Sequence, residues 1–335
     1  MTTQTTQVKP GVGAPSRSWL RTLVETPEVG VVVACVAVFI ALALARDTFA
    51  SAVNLQGMGF DLAQYGMIAI GESLVILTGG IDLSVGALLG TSVILISWFN
   101  VRAGLPAGVA VLATLAITGL IGLWHGLAVT RLKMPPFVVT LVTYTVAQGV
   151  TLAITSGTSI VGISGFFGDI GQSYLAQIPV PLILFVIVVV AGWFFLERTF
   201  AGRQVYAVGG NPEAARLAGI RGDRRIVSMY VTSSLLSGIG AMLVLGRMGV
   251  GSASGVGVGW ELQAIAAAVI GGVSLTGGQG RIIGIVAGTV LLELISNGLT
   301  TLQINSNYTQ IVLGGVLGIA ILADRLRAKA VAKRS

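Results

Sequence analysis

Residues 29–45 read Val29-Gly30-Val31-Val32-Val33-Ala34-Cys35-Val36-Ala37-Val38-Phe39-Ile40-Ala41-Leu42-Ala43-Leu44-Ala45, with no charged side chain. A helix that crosses a bilayer takes about 17–25 mostly apolar residues, so this run reads as a membrane span. It ends like a signal-peptidase site, Ala43-Leu44-Ala45. A signal core is only about 7–15 residues, however, so the span is read as uncleaved. Working outward, nine further apolar runs follow, at 60–78, 83–101, 106–130, 137–155, 178–196, 226–246, 260–275, 282–298 and 308–323. Lipid offers no partner to a bare amide, so these runs must be helical or shielded by other helices. The predicted fold is an all-α polytopic bundle of about ten spans.

Composition agrees. Hydrophobic residues make up 54% and charged residues 10% of the 335, and mean hydropathy is +0.90. A water-soluble domain of this size needs far more polar surface. The net charge of +7 sits between apolar runs and forms no phosphate-binding stripe, which argues against nucleic acid as a partner. With the N-terminus inside, seventeen of the twenty Lys and Arg fall on the inner side, leaving only Arg46, Arg102 and Arg247 outside. That split obeys the positive-inside rule and predicts that both termini are cytoplasmic. The chain divides into a polar, disordered tail over 1–28, a transmembrane domain over 29–325 and a basic cytoplasmic tail over 326–335. Cys35 and His125 are each the sole residue of their kind. A disulfide and a cysteine or histidine metal cluster are therefore excluded, and both side chains read as packed.

The inner loop 197–225 carries six arginines and one locally specified helix. Asn211 is a good N-cap and Pro212 fits the first helical position. Glu213 and Arg216 complement the two ends of the dipole. Gly219 supplies the left-handed stop, and Ala214 and Ala215 fill the turns. A helix of about two turns needs a surface to dock on. That surface is either this chain's own membrane domain or a partner.

Carboxylates inside spans are costly and point to function. Asp61, Glu72, Asp82, Glu261 and Glu293 lie in or beside the apolar runs. Asp82 is placed to cap a helix beginning at 83. Glu72 and Glu293 have no basic neighbour in sequence; they could bond solute hydroxyls, pair across helices or carry a proton. Gly79-Gly80-Ile81-Asp82-Leu83-Ser84-Val85-Gly86 aligns with Gly271-Gly272-Val273-Ser274-Leu275-Thr276-Gly277-Gly278, a weak internal repeat with both copies on the same side. No P-loop, zinc-protease helix, nucleophile elbow or CxxC motif occurs.

Four segments in order resemble the signature of the ribose-type ABC sugar permease family. They are Gly79 to Gly86; Pro135-Pro136-Phe137-Val138-Val139-Thr140-Leu141; Gly209 to Ile220; and Ala264 through Gly272 to Gly280. The resemblance covers about 55–325. It implies a bacterial inner-membrane permease subunit that pairs with a second permease subunit, alike or different. It also implies a cytoplasmic ATPase, which binds ATP and Mg so that this chain needs no cofactor, and an extracytoplasmic sugar-binding protein. On this resemblance Asn211, Pro212, Glu213, Ala214, Ala215, Arg216 and Gly219 form the ATPase-coupling helix. Candidates for the pathway or its framework are Glu72, Gly79, Gly80, Asp82, Ser84, Gly271, Gly272 and Glu293. An ion-coupled carrier using the embedded acids is the alternative. A membrane enzyme has no recognisable catalytic set.

Overall fold

The computed structural model describes residues 27–253, 255–305 and 307–332. The tail expected over 1–28 lies outside them up to residue 26. Helix α1 spans Pro27–Ala45, α2 Ala52–Leu77 and α3 Val85–Ser97, which runs on through a π turn, Trp98–Arg102. Next come α4 (Ala107–Thr130), α5 (Pro136–Thr155) and the short α6 (Gly165–Gly171). The hairpin β1 (Tyr174–Leu175) and β2 (Ile178–Pro179) is antiparallel, with Leu175 facing Ile178. Then follow α7 (Val180–Trp193, with a π turn over Phe194–Arg198), α8 (Phe200–Gly210), α9 (Pro212–Leu217), α10 (Gly222–Met248), α11 (Trp260–Ile270), α12 (Ile282–Thr301) and α13 (Asn307–Ala332).

Among the described residues eight helices are long and apolar enough to cross a membrane, and two shorter apolar helices lie at Trp260–Ile270 and Tyr308–Ile319. Together these ten occupy the ten apolar runs. The centre is built by α2, the most deeply buried of the long helices, and by α10, which is buried over more than half of its apolar stretch. Around them α10 packs on α4 and α3, α11 on α2 and α12, and α12 on α1. The outer helices show the solvent they are built for. Val33 and Ile40 on α1, Leu112 and Leu120 on α4, and Ile187 and Val190 on α7 are all exposed. In water that surface would aggregate; in lipid it is a match.

Small residues let the backbones approach. Gly122 and Gly126 of α4 face Tyr230 and Val227 of α10 so closely that a Cβ at Gly126 would lie 2.5 Å from Val227 Cα. This is the small-xxx-small spacing of membrane helix pairs. At one end of the bundle, Asn54 and Asn297 exchange amide hydrogen bonds of 2.9 and 3.1 Å, tying α2 to α12.

Three sequence expectations need correction. The loop 197–225 holds α8 as well as the short helix, because Thr199 caps it by accepting from the Gly202 amide at 2.9 Å. The basic tail taken from 326 begins within α13, whose helix continues to Ala332. The run 260–275 is a helix only to Ile270; before it residues 249–253 and 255–259 are non-helical, and Gly249, Gly255, Gly257 and Gly259 all have positive φ.

Candidate functional site

The α2–α3 turn is the first part of the site. Helix α2 stops at a Schellman turn: Gly79 takes φ +83°, its amide donates to Ile76 O at 2.8 Å, and the Gly80 amide donates to Val75 O at 3.2 Å. Helix α11 stops the same way at Gly272, φ +86°, with its amide on Val269 O at 3.0 Å and the Val273 amide on Ala268 O at 2.9 Å. The two turns therefore superpose with Gly79 on Gly272, one residue away from the sequence alignment of Gly79 with Gly271. The left-handed residue, which favours glycine, sets the register. Gly80 and Gly271 serve close approach instead. A Cβ at Gly80 would lie 2.6 Å from Tyr230 Oη, and one at Gly271 2.8 Å from the Ile285 amide.

Beyond Gly80 the chain turns inward on Asp82. Its Oδ1 accepts the Ser84 amide at 3.0 Å and the Ser84 hydroxyl at 2.5 Å. Its Oδ2 lies 3.5 Å from Ser233 Oγ and 3.9 Å from His125 Nδ1. The helix it prefaces begins at Val85, not at 83, because this Asx-type turn occupies 82–84. Glu72 Oε1 accepts the Asp82 amide at 3.2 Å, so Glu72 braces the turn from α2. Thr140 accepts the Leu83 amide at 3.1 Å, and His125 Nε2 pairs with Thr143 Oγ1 at 2.8 Å. Glu72, Asp82, Ser84, His125, Thr140 and Ser233 are fully buried. The cluster is a polar knot joining α2, α3, α4, α5 and α10. Glu293 lies elsewhere, on α12, facing a small crevice with Tyr65, Gln263 and Ser296. Sequence reasoning missed Thr140, Ser233 and Tyr230, and read His125 only as packed. Their signal is spatial, since each comes from a different stretch of the chain.

On the same end of the bundle three glycine turns interlock. The Gly278 amide donates to Leu77 O at 3.0 Å. A Cβ on Gly209 would lie 2.6 Å from that amide, and one on Gly277 2.8 Å from the Gly79 amide. Both repeat turns thus meet the end of α8. Tyr206 reinforces the contact by donating to Gly280 O at 2.9 Å. Burial, then the Glu197 carboxylate, pushes the Tyr206 phenol up to about 12, with Arg281 opposing, so the donated proton stays in place.

One residue past this junction α9 stands out from the body. Asn211 Oδ1 accepts the Ala214 amide at 2.9 Å, and Pro212 opens the helix. Gly219 closes it at φ +77°, its amide on Arg216 O and the Ile220 amide on Ala215 O, both at 3.0 Å. Within α9 only Ala215 is buried; Pro212, Glu213, Ala214, Arg216 and Leu217 face outward, Leu217 with 81% of its surface exposed. A six-residue helix so uncovered is held by its caps and by its attachment to α8. Among the described residues no group of three or more His, Cys, Asp or Glu could hold a metal ion.

Comparison with known proteins follows the same lines. The ribose import permease protein of Bacillus subtilis (strain 168) is 38% identical over 85% of this chain and 89% of its own length. The D-allose transport system permease protein of Escherichia coli (strain K12) is 35% identical over 78% of this chain and 80% of its own. The xylose transport system permease protein of Haemophilus influenzae is 30% identical over 82% and 90%. No solved structure matches. Residues 54–321, from the first turn of α2 into α13, match the family described as branched-chain amino acid transport system / permease component, and the chain belongs to that family.

Proposed function

We propose that this chain is the membrane-spanning permease subunit of an ATP-driven importer in a bacterial inner membrane, and that its cargo is a sugar or related polyol. A binding protein outside the membrane delivers the cargo, a second permease subunit completes the pathway, and a cytoplasmic ATPase drives it. Family membership supports the permease role. The printed names of the relatives, which are permeases for ribose, allose and xylose, favour a sugar over the amino acids in the family's description. The observation that carries the ATP-driven reading is the exposed, doubly capped α9. A carrier driven by an ion gradient needs no helix presented to a motor.

The test is uptake in vesicles at fixed internal ATP. Dissipating proton and sodium gradients should leave uptake intact, whereas its collapse would favour the ion-coupled carrier. Leu217→Asp should then cut ATPase pull-down and uptake about tenfold, the effect of a charge in an apolar contact worth ~1.4 kcal/mol. Insertion should stay normal, because Leu217 is largely exposed. Wild-type association would mean that α9 is not the docking surface.

We propose that both termini lie inside, a reading that the distribution of Lys and Arg supports. In a Cys35→Ala background, Gly165→Cys and Gln303→Cys, both at exposed positions, should react in intact cells with a membrane-impermeant maleimide. Glu213→Cys should react only after lysis. Outside labelling at 213 would invert the topology.

A further inference from the structure

The segment 249–259 poses a problem in hydrocarbon. It is non-helical, yet it folds against α3 so tightly that a Cβ on Gly90 would press into the Val256 backbone, and one on Gly86 into Gly257. Gly86 lies in the first turn of α3, so the segment reaches well inside the bundle. The amides of Val256, Gly257 and Val258 find no acceptor among the described residues. Irregular backbone survives at membrane depth only where it is buried in protein or lines a water-filled cavity. Here it lines a crevice of about 160 Å3, several waters in size, between α3, α5 and the segment itself.

The opposite wall is polar but uncharged. Thr91 gives its one hydroxyl proton to Ala147 O at 2.9 Å, so Thr151, 3.0 Å away, donates to Thr91 and keeps acceptor capacity facing the crevice. Gln148 lines it too, and its side chain has no hydrogen-bond partner among the described residues. An amide side chain without a partner on a spanning helix is costly unless something polar meets it. Ala87, Gly90 and Leu152 supply apolar floor between these groups. No Asp, Glu, Lys or Arg lines the space.

We infer that this crevice holds the solute in transit, and that it takes a neutral polyhydroxylated molecule through Gln148, Thr151 and the backbone amides of residues 256–258. Alternating donors and acceptors over an apolar floor match hydroxyls on a carbon ring. A charged solute would find no counter-charge there. The inference rests on the sugar-permease reading and adds the contact residues to it.

The complete transporter in proteoliposomes tests it, with labelled D-ribose, D-allose, D-xylose and D-fructose as probes. Gln148→Leu removes the polar partner. Val258→Trp fills the crevice from the other wall, where Val258 is half exposed. Each should lower uptake about tenfold or more, a loss of ~1.4 kcal/mol of solute contact. ATP hydrolysis stimulated by the binding protein should persist, since neither residue lies near α9. In a Cys35→Ala background, Gln148→Cys should react with a water-soluble thiol reagent, and the transported sugar should slow that reaction. If wild-type vesicles take up sugar and both variants match them, the site falls while the permease reading stands. If labelling proceeds at one rate with and without saturating sugar, the crevice holds water only, and the site falls likewise. If wild-type vesicles with ATP take up none of the four sugars, the sugar reading and the site fall together.

Discussion

Gly209→Ala should abolish uptake and sharply reduce the yield of folded protein, although it adds one methyl group. The Cβ would press on Leu77 O and lie 2.6 Å from the Gly278 amide, where those two groups already share a hydrogen bond of 3.0 Å. The obstacle is backbone on both sides, so no side chain can swing away. Overpacking a core costs about 1–3 kcal/mol when side chains can yield, and backbone yields less. Relief would require parting the α2 turn from the α11–α12 turn, which is the junction beside α9. Gly168→Ala is the control: it is helical, and a Cβ there meets nothing within 4 Å. Uptake and the thermal unfolding midpoint in detergent check the pair. A Gly209→Ala variant with normal uptake would show that the junction is loose.

Asp82→Ala should be the most destabilising single change in the polar knot. It orphans the Ser84 amide and hydroxyl and removes the partner of Ser233 Oγ, all in a dry interior. Each buried polar group left unmet costs about 1–3 kcal/mol, so the sum is about 3 kcal/mol or more. That is a large part of the ~5–15 kcal/mol that holds a domain together. Ser233→Ala should cost about 1 kcal/mol or less, because its bond is long at 3.5 Å. Asp82→Asn keeps an acceptor for Ser84 and should fall between. The unfolding midpoints, measured under one detergent condition, should rank in that order. Equal midpoints for Asp82→Ala and Ser233→Ala would mean that Ser84 finds another acceptor.

The parts of this protein that could be read in the sequence are those whose causes are local. Apolar runs specify helices by length alone, and Asn211, Pro212 and Gly219 specify α9 because a cap, a fixed φ and a left-handed stop each act within a few residues. The polar knot was half visible. Asp82 and Glu72 betrayed themselves as acids in apolar surroundings, but Thr140 and Ser233 look like any hydroxyl that bonds back to its own helix. Only packing brings them to the Asp82 turn. The start of α11 at Trp260 was legible, since the apolar run was read from 260, but its stop at Ile270 was hidden by composition, because Val273 and Leu275 are as apolar as a span. The pair Gly271-Gly272 was the available sign, because consecutive glycines disfavour helix. The repeat was found in the wrong register for a related reason: identical letters align on side chains, whereas the turns align on the one residue with positive φ.

Helix α11 has a consequence for how the chain is made. Its 11 residues measure about 16 Å at 1.5 Å each, roughly half of a ~30 Å hydrocarbon layer. Alone in lipid, the bare amides of the preceding segment would each cost several kcal/mol. A ribosome-bound insertion channel that releases segments one by one therefore cannot release α11 when it emerges. The surfaces that shelter it are α2, synthesised well over a hundred residues earlier, and α12, synthesised just after. Helices α2 to α10 must already be gathered at the channel exit while α11 and α12 leave together as a pair. Truncating the nascent chain after residue 275 should strand residues 249–270 outside the bilayer, open to protease, and extending it past Thr301 should draw them in.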